Sequence, residues 1–189
     1  MALEDKVKKN VYIGVFVNYL LFSATTPLIS IFFIQKVSTI VFSIVNWVSI
    51  IIVLIMNNFL KSQRNRDFLQ RFFLPIIIID TVLFIIVSFV GEYHVDVRFF
   101  GLAVLNGTTS AIWMCIMKSN INKVFAGDNL TNFQTYQDYL ISVSQLIGAT
   151  VAVVLTKLNI DINILMSIQI IASVTMGYFD YKTIKIINE

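Results

Sequence analysis

The chain is predicted to be an all-α polytopic membrane protein with six transmembrane helices, and three observations indicate this class. Hydrophobic residues make up 57% of its 189 residues and charged residues only 13%, and the mean hydropathy is +0.81. A soluble domain of this length could not shield so much apolar surface from water, whereas lipid can solvate it. The apolar residues also form long runs, with most Lys and Arg residues in the gaps between them.

Six apolar runs are each near the ~20 residues that a helix needs to cross ~30 Å of hydrocarbon. The third, FFLPIIIIDTVLFIIVSFVG, is apolar on every face except at Asp80. The fifth begins with a polar turn that holds Gln134, Gln137 and Asp138. The whole chain is therefore predicted to form a single transmembrane domain, with spans at residues 11–35, 37–59, 72–91, 98–118, 133–156 and 162–181.

Lys and Arg residues orient these spans, because cytoplasmic loops of membrane proteins carry an excess of basic residues. With the N-terminus in the cytoplasm, eleven basic residues fall on the inner side and three on the outer side. The outer three are Lys36, Arg98 and Lys157. The densest inner group, the basic loop between spans two and three, consists of Lys61, Arg64, Arg66 and Arg71. The protein is thus expected in the cell membrane, with both termini cytoplasmic.

Several functional classes find no support in composition or motifs. The net charge is +3, but the basic residues follow the topology of the spans and form no patch typical of nucleic-acid binding. Cys115 is the single cysteine, and neither cysteine pairs nor histidine clusters indicate a metal site. No H-E-x-x-H, G-x-S-x-G or glycine-rich phosphate loop is present. We expect no enzymatic activity, no catalytic residue, no cofactor and no nucleic-acid partner.

Polar residues recur at helical spacing within five spans, and each series predicts a polar face turned toward the bundle interior. The series are Asn18, Phe22 and Thr25 in span one; Ser43, Asn46, Ile50 and Val53 in span two; Asn106, Ser110, Trp113 and Met117 in span four; Asp138, Ser142, Gln145, Ala149 and Ala152 in span five; and Met166, Gln169, Ser173, Met176 and Asp180 in span six. Gly148 and Ala152, four residues apart, suit close helix packing.

The polar residues also indicate an internal repeat. Polar residues lie at similar depths in pairs of spans: Asn18 and Asn106 in spans one and four, Asn46 and Gln145 in spans two and five, and Asp80 and Gln169 in spans three and six. Three helices followed by three of opposite topology predict a 3+3 inverted repeat, in which substrate sites lie near the bilayer midplane. The candidate substrate-binding or coupling residues are therefore Asp80, Asn18, Asn46, Asn106, Gln145, Gln169 and Trp113.

Asp80 is the strongest candidate, because an ionised carboxylate at mid-span is costly unless it is paired or in contact with water. In one interpretation it couples transport to protons or recognises a cation. In the other it is a buried acid held by an Asn or Ser side chain of another span. The five amide side chains have the same two interpretations, as ligand contacts or as interhelical hydrogen bonds.

Three stretches resemble the N-terminal half of a major facilitator superfamily transporter. NNFLKSQRNRDFLQRF stands where that family has its basic loop, and FFGLAVLNGTTSAIWMCIMKSNINKVF stands at its fourth helix. LTNFQTYQDYLISVSQLIGATVAVVL is similar to the fifth helix of drug-efflux-like members, with a central glycine. The resemblance implies a half-transporter for a small amphipathic or cationic solute. Since the family has two six-helix halves, it also implies a second copy or a separate half as partner.

The basic loop departs from the pattern of that family. Asn57 and Asn58 stand where glycines are expected, and Lys61 or Ser62 stands where the family has an acid that helps to latch the two halves. A degenerate loop and a single half also suit a membrane protein that does not transport, such as an immunity, export-assisting or substrate-capture subunit. A fragment of a longer transporter is the third interpretation.

Overall fold

A computed structural model describes residues 3–36, 39–88 and 95–189, and within these ranges the regular secondary structure is helical, without strands. The all-α prediction is thereby confirmed. The helices are α1 (Leu3–Lys36), α2 (Thr39–Phe59), α3 (Gln63–Arg71), α4 (Phe73–Ser88), α5 (Val95–Ile112), α6 (Lys118–Val124), α7 (Gly127–Lys157) and α8 (Ile162–Asn188), with a π-helical turn at Trp113–Met117 that joins α5 to α6.

Four helical stretches are long and apolar enough to cross a membrane. They are Leu3–Lys36, Phe99–Val124, Gly127–Lys157 and Ile162–Asn188. Two shorter apolar stretches, Asn46–Phe59 and Phe73–Leu83, lie in α2 and α4. Many large apolar side chains of these helices are exposed, as on a surface that faces lipid. Helix α3 is an addition to the predicted elements, because it forms inside the basic loop.

Short connections and local caps set where the last two helices begin. Gly127 starts α7 with a φ of 54°, a left-handed conformation that glycine adopts without strain. Residues 158–161 form the short connection that joins α7 to α8. Asp161 caps α8, where its side chain accepts a hydrogen bond from the Asn163 backbone N–H at 2.7 Å.

The chain divides into two compact units. Unit 1 combines Met1–Leu28 with Met117–Glu189, and unit 2 consists of Ile29–Ile116. Helix α1 therefore contributes its first part to unit 1 and its last part to unit 2. This division does not follow the boundary between the third and fourth spans, so the 3+3 repeat stays a prediction.

Unit 1 has an aromatic and aliphatic core where α1, α6 and α7 meet. Its buried members are Val7, Val11, Val15, Ile121, Phe125 and Phe133. The ring of Phe133 stacks on Phe125 and on Tyr12, with centroids 4.6 and 5.2 Å apart. Gly148 lets α7 approach α1 closely, since a Cβ at this position would lie 2.6 Å from the Leu20 carbonyl oxygen. The prediction that Gly148 serves close helix packing is confirmed.

Unit 2 is organised around α5, which packs against α2 and α4. Gly107 allows the α2 contact, because a Cβ there would lie 2.8 Å from the Ser49 carbonyl oxygen. The end of α1 is attached through Phe33, which is buried and stacks on Phe99 with centroids 4.7 Å apart. Helix α3 packs against α4 at one end of the unit.

Candidate functional site

The middle of α4 carries an acidic side chain in an otherwise apolar helix. Asp80 is half-buried and accepts a hydrogen bond from the Thr109 hydroxyl of α5, with 3.0 Å between Oγ1 and Oδ2. Within the described ranges, no basic side chain lies at ion-pair distance from Asp80. Its carboxyl group therefore has one neutral donor and several unused acceptor positions, an arrangement that can receive a proton or a cation.

A second polar contact lies near the end of α5. The thiol of Cys115 donates to Oδ1 of Asn57 on α2, with a separation of 3.3 Å. Trp113 begins the π-helical turn that contains Cys115, and its side chain is half-buried. Such turns are frequent at functional sites. Unit 2 thus has one polar contact from α5 to α4 and one from the π-helical turn after α5 to α2.

The other unit 2 candidates do not gather around Asp80. Asn46 is exposed on α2, and no contact of the described side chains joins it to Asp80. Asn106 belongs to α5, but its side chain lies outside the described residues. The observed partner Thr109 was missed by the sequence reasoning. Its position three residues after Asn106, on the same helical face, is the signal that could have found it.

In unit 1, two predicted site residues form hydrogen bonds between α1 and α8. Asn18 Nδ2 donates to the Ala172 carbonyl oxygen at 3.3 Å. Gln169 Nε2 donates to the Thr26 hydroxyl at 3.0 Å, and Gln169 is buried. For these two residues the geometry matches the interhelical hydrogen bond that was one of the two interpretations.

Gln145 and its stripe on α7 face outward, so the prediction of an interior polar face is wrong for span five. Asp138, Ser142, Gln145 and Ala149 are exposed, and only Ala152 is buried. The face of α7 that is buried instead consists of Phe133, Gln137, Ser144, Gly148 and Ala152. Close approach to α1 at Gly148 decides the rotation of the helix, because small side chains allow more contact than polar ones.

The predicted polar faces of spans six and two have opposite outcomes. In span six, Met166, Gln169 and Asp180 are buried, as predicted. In span two, Ser43, Asn46 and Ile50 are exposed, which contradicts an interior face. The reason is that α2 meets α5 through Ser49 and Ile52, on another side of the helix.

Unit 1 also buries polar groups that the sequence reasoning passed over. Asn10 is 5% exposed, and its Nδ2 atom is buried without a hydrogen-bond partner. Asn120 of α6 is buried and accepts from Lys123 Nζ at 3.3 Å. The spacing of Asn10, Gly14 and Asn18, four residues apart, was the signal for Asn10. It lay just outside the predicted start of span one.

The basic loop folds as α3 and caps the end of α2. Arg66 Nη1 donates to the carbonyl oxygens of Leu60 and Lys61, both at 2.8 Å. Asn65 Nδ2 donates to the Phe59 carbonyl oxygen at 2.7 Å. These side chains satisfy carbonyl groups that the end of α2 leaves without intrahelical partners. The exposed basic residues of the loop are Lys61, Arg64 and Arg71.

Comparison with protein families, with curated proteins and with solved structures finds no match to this chain. Within the described residues, no group of three His, Cys, Asp or Glu side chains is placed to hold a metal ion. The candidate site is therefore defined by its own geometry, with the Asp80–Thr109 pair at its centre.

Proposed function

We propose that this chain is an integral membrane protein that moves a small amphipathic or cationic solute as one half of a dimeric transporter. The observation that carries the proposal is Asp80, a carboxyl group in the middle of an apolar helix with a single hydroxyl partner. Ionisable residues within membrane spans are costly and mark ion or substrate pathways. Asp80 is the residue that receives the proton or the cationic group of the solute.

The proposed transporter has six spans, with both termini in the cytoplasm. They correspond to α1, α2, α4, the continuous α5–α6 stretch, α7 and α8. The excess of Lys and Arg in the inner segments sets the orientation. The two halves of the chain form the 3+3 inverted repeat of a major-facilitator-like half-transporter, and Asn106 of α5 and Trp113 of the π-helical turn are further candidates for contacts with the solute.

The outward polar faces of α2 and α7 support the presence of a partner protein with transmembrane helices. Asn46 and Gln145 are exposed, and neither makes a hydrogen bond within the described part of the chain. An amide that faces hydrocarbon without a partner is costly, whereas a second helix can satisfy it. A second copy of the chain, or a separate six-helix half, covers these faces.

The test is ethidium uptake into proteoliposomes under an imposed pH gradient. We expect Asp80→Asn to lower the uptake rate about 100-fold, at the lower end of what a positioned proton-transfer group contributes. Thr109→Val removes one hydrogen bond of about 1 kcal/mol and should lower the rate about fivefold. Asp128→Asn, at an exposed acid at the start of α7, is the matched control and should transport like the unmodified chain.

Two results would contradict the proposal. Unchanged uptake in the Asp80→Asn variant would refute the role of Asp80 in transport. The absence of uptake by the unmodified chain, while native mass spectrometry from nanodiscs shows a stable monomer, would refute the transporter itself. The second result would favour the membrane accessory or substrate-capture protein, because a monomer leaves the outward polar faces without a second half.

A further inference from the structure

Helix α3 has an apolar face that the protein leaves uncovered. At 100° per residue, Phe68 and Leu69 fall on one side of the helix together with its C-cap residue Phe72, whereas Arg64 and Arg71 fall beside one another on its flank. Phe68 and Phe72 are 56% and 48% exposed. Their rings contact each other, with centroids 4.9 Å apart. The result is an exposed aromatic pair next to two guanidinium groups.

The connections of α3 keep it close to the ends of two apolar helices. Residues 60–62 separate it from α2, a reach of about 10 Å even when fully extended, and Phe72 alone separates it from α4. Leu60 and Phe73 flank the helix and are 1% and 4% exposed, so both connections are anchored. The Arg66 hydrogen bonds to the Leu60 and Lys61 carbonyl oxygens fix the first connection further. Where α2 and α4 span the bilayer, α3 must therefore lie at its surface.

The charge of the segment suits an anionic surface. Lys61, Arg64 and Arg71 are exposed, and none forms an ion pair within the described residues. Asp67 is the only acid between them. Basic residues beside the cytoplasmic end of a span are attracted to anionic lipid headgroups, by about 1 kcal/mol each.

We propose that α3 is an interfacial helix that binds anionic phospholipid, with Phe68 and Phe72 inserted at the boundary between headgroups and acyl chains. Lys61, Arg64 and Arg71 bind the phosphate groups, and the proposal rests on the membrane-spanning role of α2 and α4 stated above. A lipid surface fits better than an acidic protein partner. The ends of α2 and α4 that flank α3 also carry exposed apolar side chains, Phe59 and Leu74.

The depth of α3 can be measured by spin labels on the full chain in nanodiscs. Each label is attached to a single cysteine in a Cys115→Ala background, introduced by Phe68→Cys, Phe72→Cys or Asp67→Cys. The label reports how accessible its position is to oxygen, which dissolves in lipid, and to a water-soluble nickel complex. We expect the labels at positions 68 and 72 to be more accessible to oxygen and the label at position 67 to be more accessible to the nickel complex, because an interfacial helix buries one face in lipid. Ile78→Cys on α4 serves as the reference for a residue within the bilayer.

The lipid charge is tested by repeating the measurement with phosphatidylglycerol and with phosphatidylcholine. In phosphatidylglycerol, Arg64→Gln and Arg71→Gln should each reduce the lipid-inserted population relative to the free one about fivefold, the equivalent of about 1 kcal/mol per basic residue. Lys36→Gln, at the opposite end of the unit and also exposed, should leave it unchanged.

Each remaining outcome overturns part or all of this inference. Nickel-accessible labels at positions 68 and 72, together with an oxygen-accessible position 78, would show that α4 spans the membrane while α3 stays in water or awaits a protein partner. A nickel-accessible position 78 would instead remove the spanning role of α4, and with it the proposed transporter. Equal insertion in both lipids would refute the binding of anionic headgroups.

Discussion

All eight buried polar side chains among the described residues lie in unit 1, whereas the polar groups of unit 2 are half-buried or exposed. In unit 1, Gln169 and Asn18 bond across the seam of two helices. In unit 2, Asp80 meets a single exposed hydroxyl, and Asn46 faces outward. The difference indicates that Asn18 and Gln169 of unit 1 hold helices together, whereas Asp80 and Asn46 of unit 2 stay available for a ligand, a partner or lipid.

The largest expected effect comes from removing one core ring in each unit. Phe133→Ala should lower the free energy of unfolding by about 3–5 kcal/mol, because its ring packs between two others in the buried core. Phe33→Ala should cost only about 2 kcal/mol, since lipid chains at the exposed neighbours Ile31 and Ile34 can enter the space. Unfolding in mixed micelles measures both. Equal losses would mean that the two units are packed equally well.

The next largest loss of stability is expected at the two glycines where helices approach closely. A methyl group at position 148 would meet backbone and side-chain atoms at 2.6, 2.7 and 3.1 Å, whereas at position 107 the distances are 2.8, 3.3 and 3.3 Å. We expect Gly148→Ala to destabilise the protein by about 2–3 kcal/mol and Gly107→Ala by about 1 kcal/mol. Thermal unfolding measures the order, with Val154→Leu at another exposed position of α7 as a neutral control. A reversed order would contradict the tighter packing of unit 1.

The smallest effect separates structural from functional polar contacts. A double-mutant cycle with Gln169→Leu and Thr26→Val should give a coupling of about 0.6 kcal/mol in unfolding, as for other hydrogen bonds between membrane helices. The cycle with Asp80→Asn and Thr109→Val should give almost no coupling in stability, because both side chains are accessible. The same pair should couple in the transport rate. If the two substitutions couple in stability but not in the transport rate, the role of Asp80 is structural.

The helical class was predictable from the sequence because it follows from local quantities. The length and polarity of each run, and the positions of Lys and Arg, depend on neighbouring residues alone. For the same reason the capping residue Asp161 and the packing glycine Gly148 have readable signals. The candidate site was predictable in part, since an acid in a span as apolar as α4 is conspicuous whatever surrounds it.

What the tertiary structure alone decided is which face of each helix is buried and which side chains meet. Polar spacing predicted an inward stripe on span five, but the approach of α1 at Gly148 turned the stripe outward. Helical spacing marked the positions of Thr109 and Asn10, but the tertiary structure decided that Thr109 bonds to Asp80 and that the Asn10 amide has no partner. Helix rotation depends on contacts between residues far apart in the chain. Periodicity identifies the faces of a helix, but it does not say which of them another helix will cover.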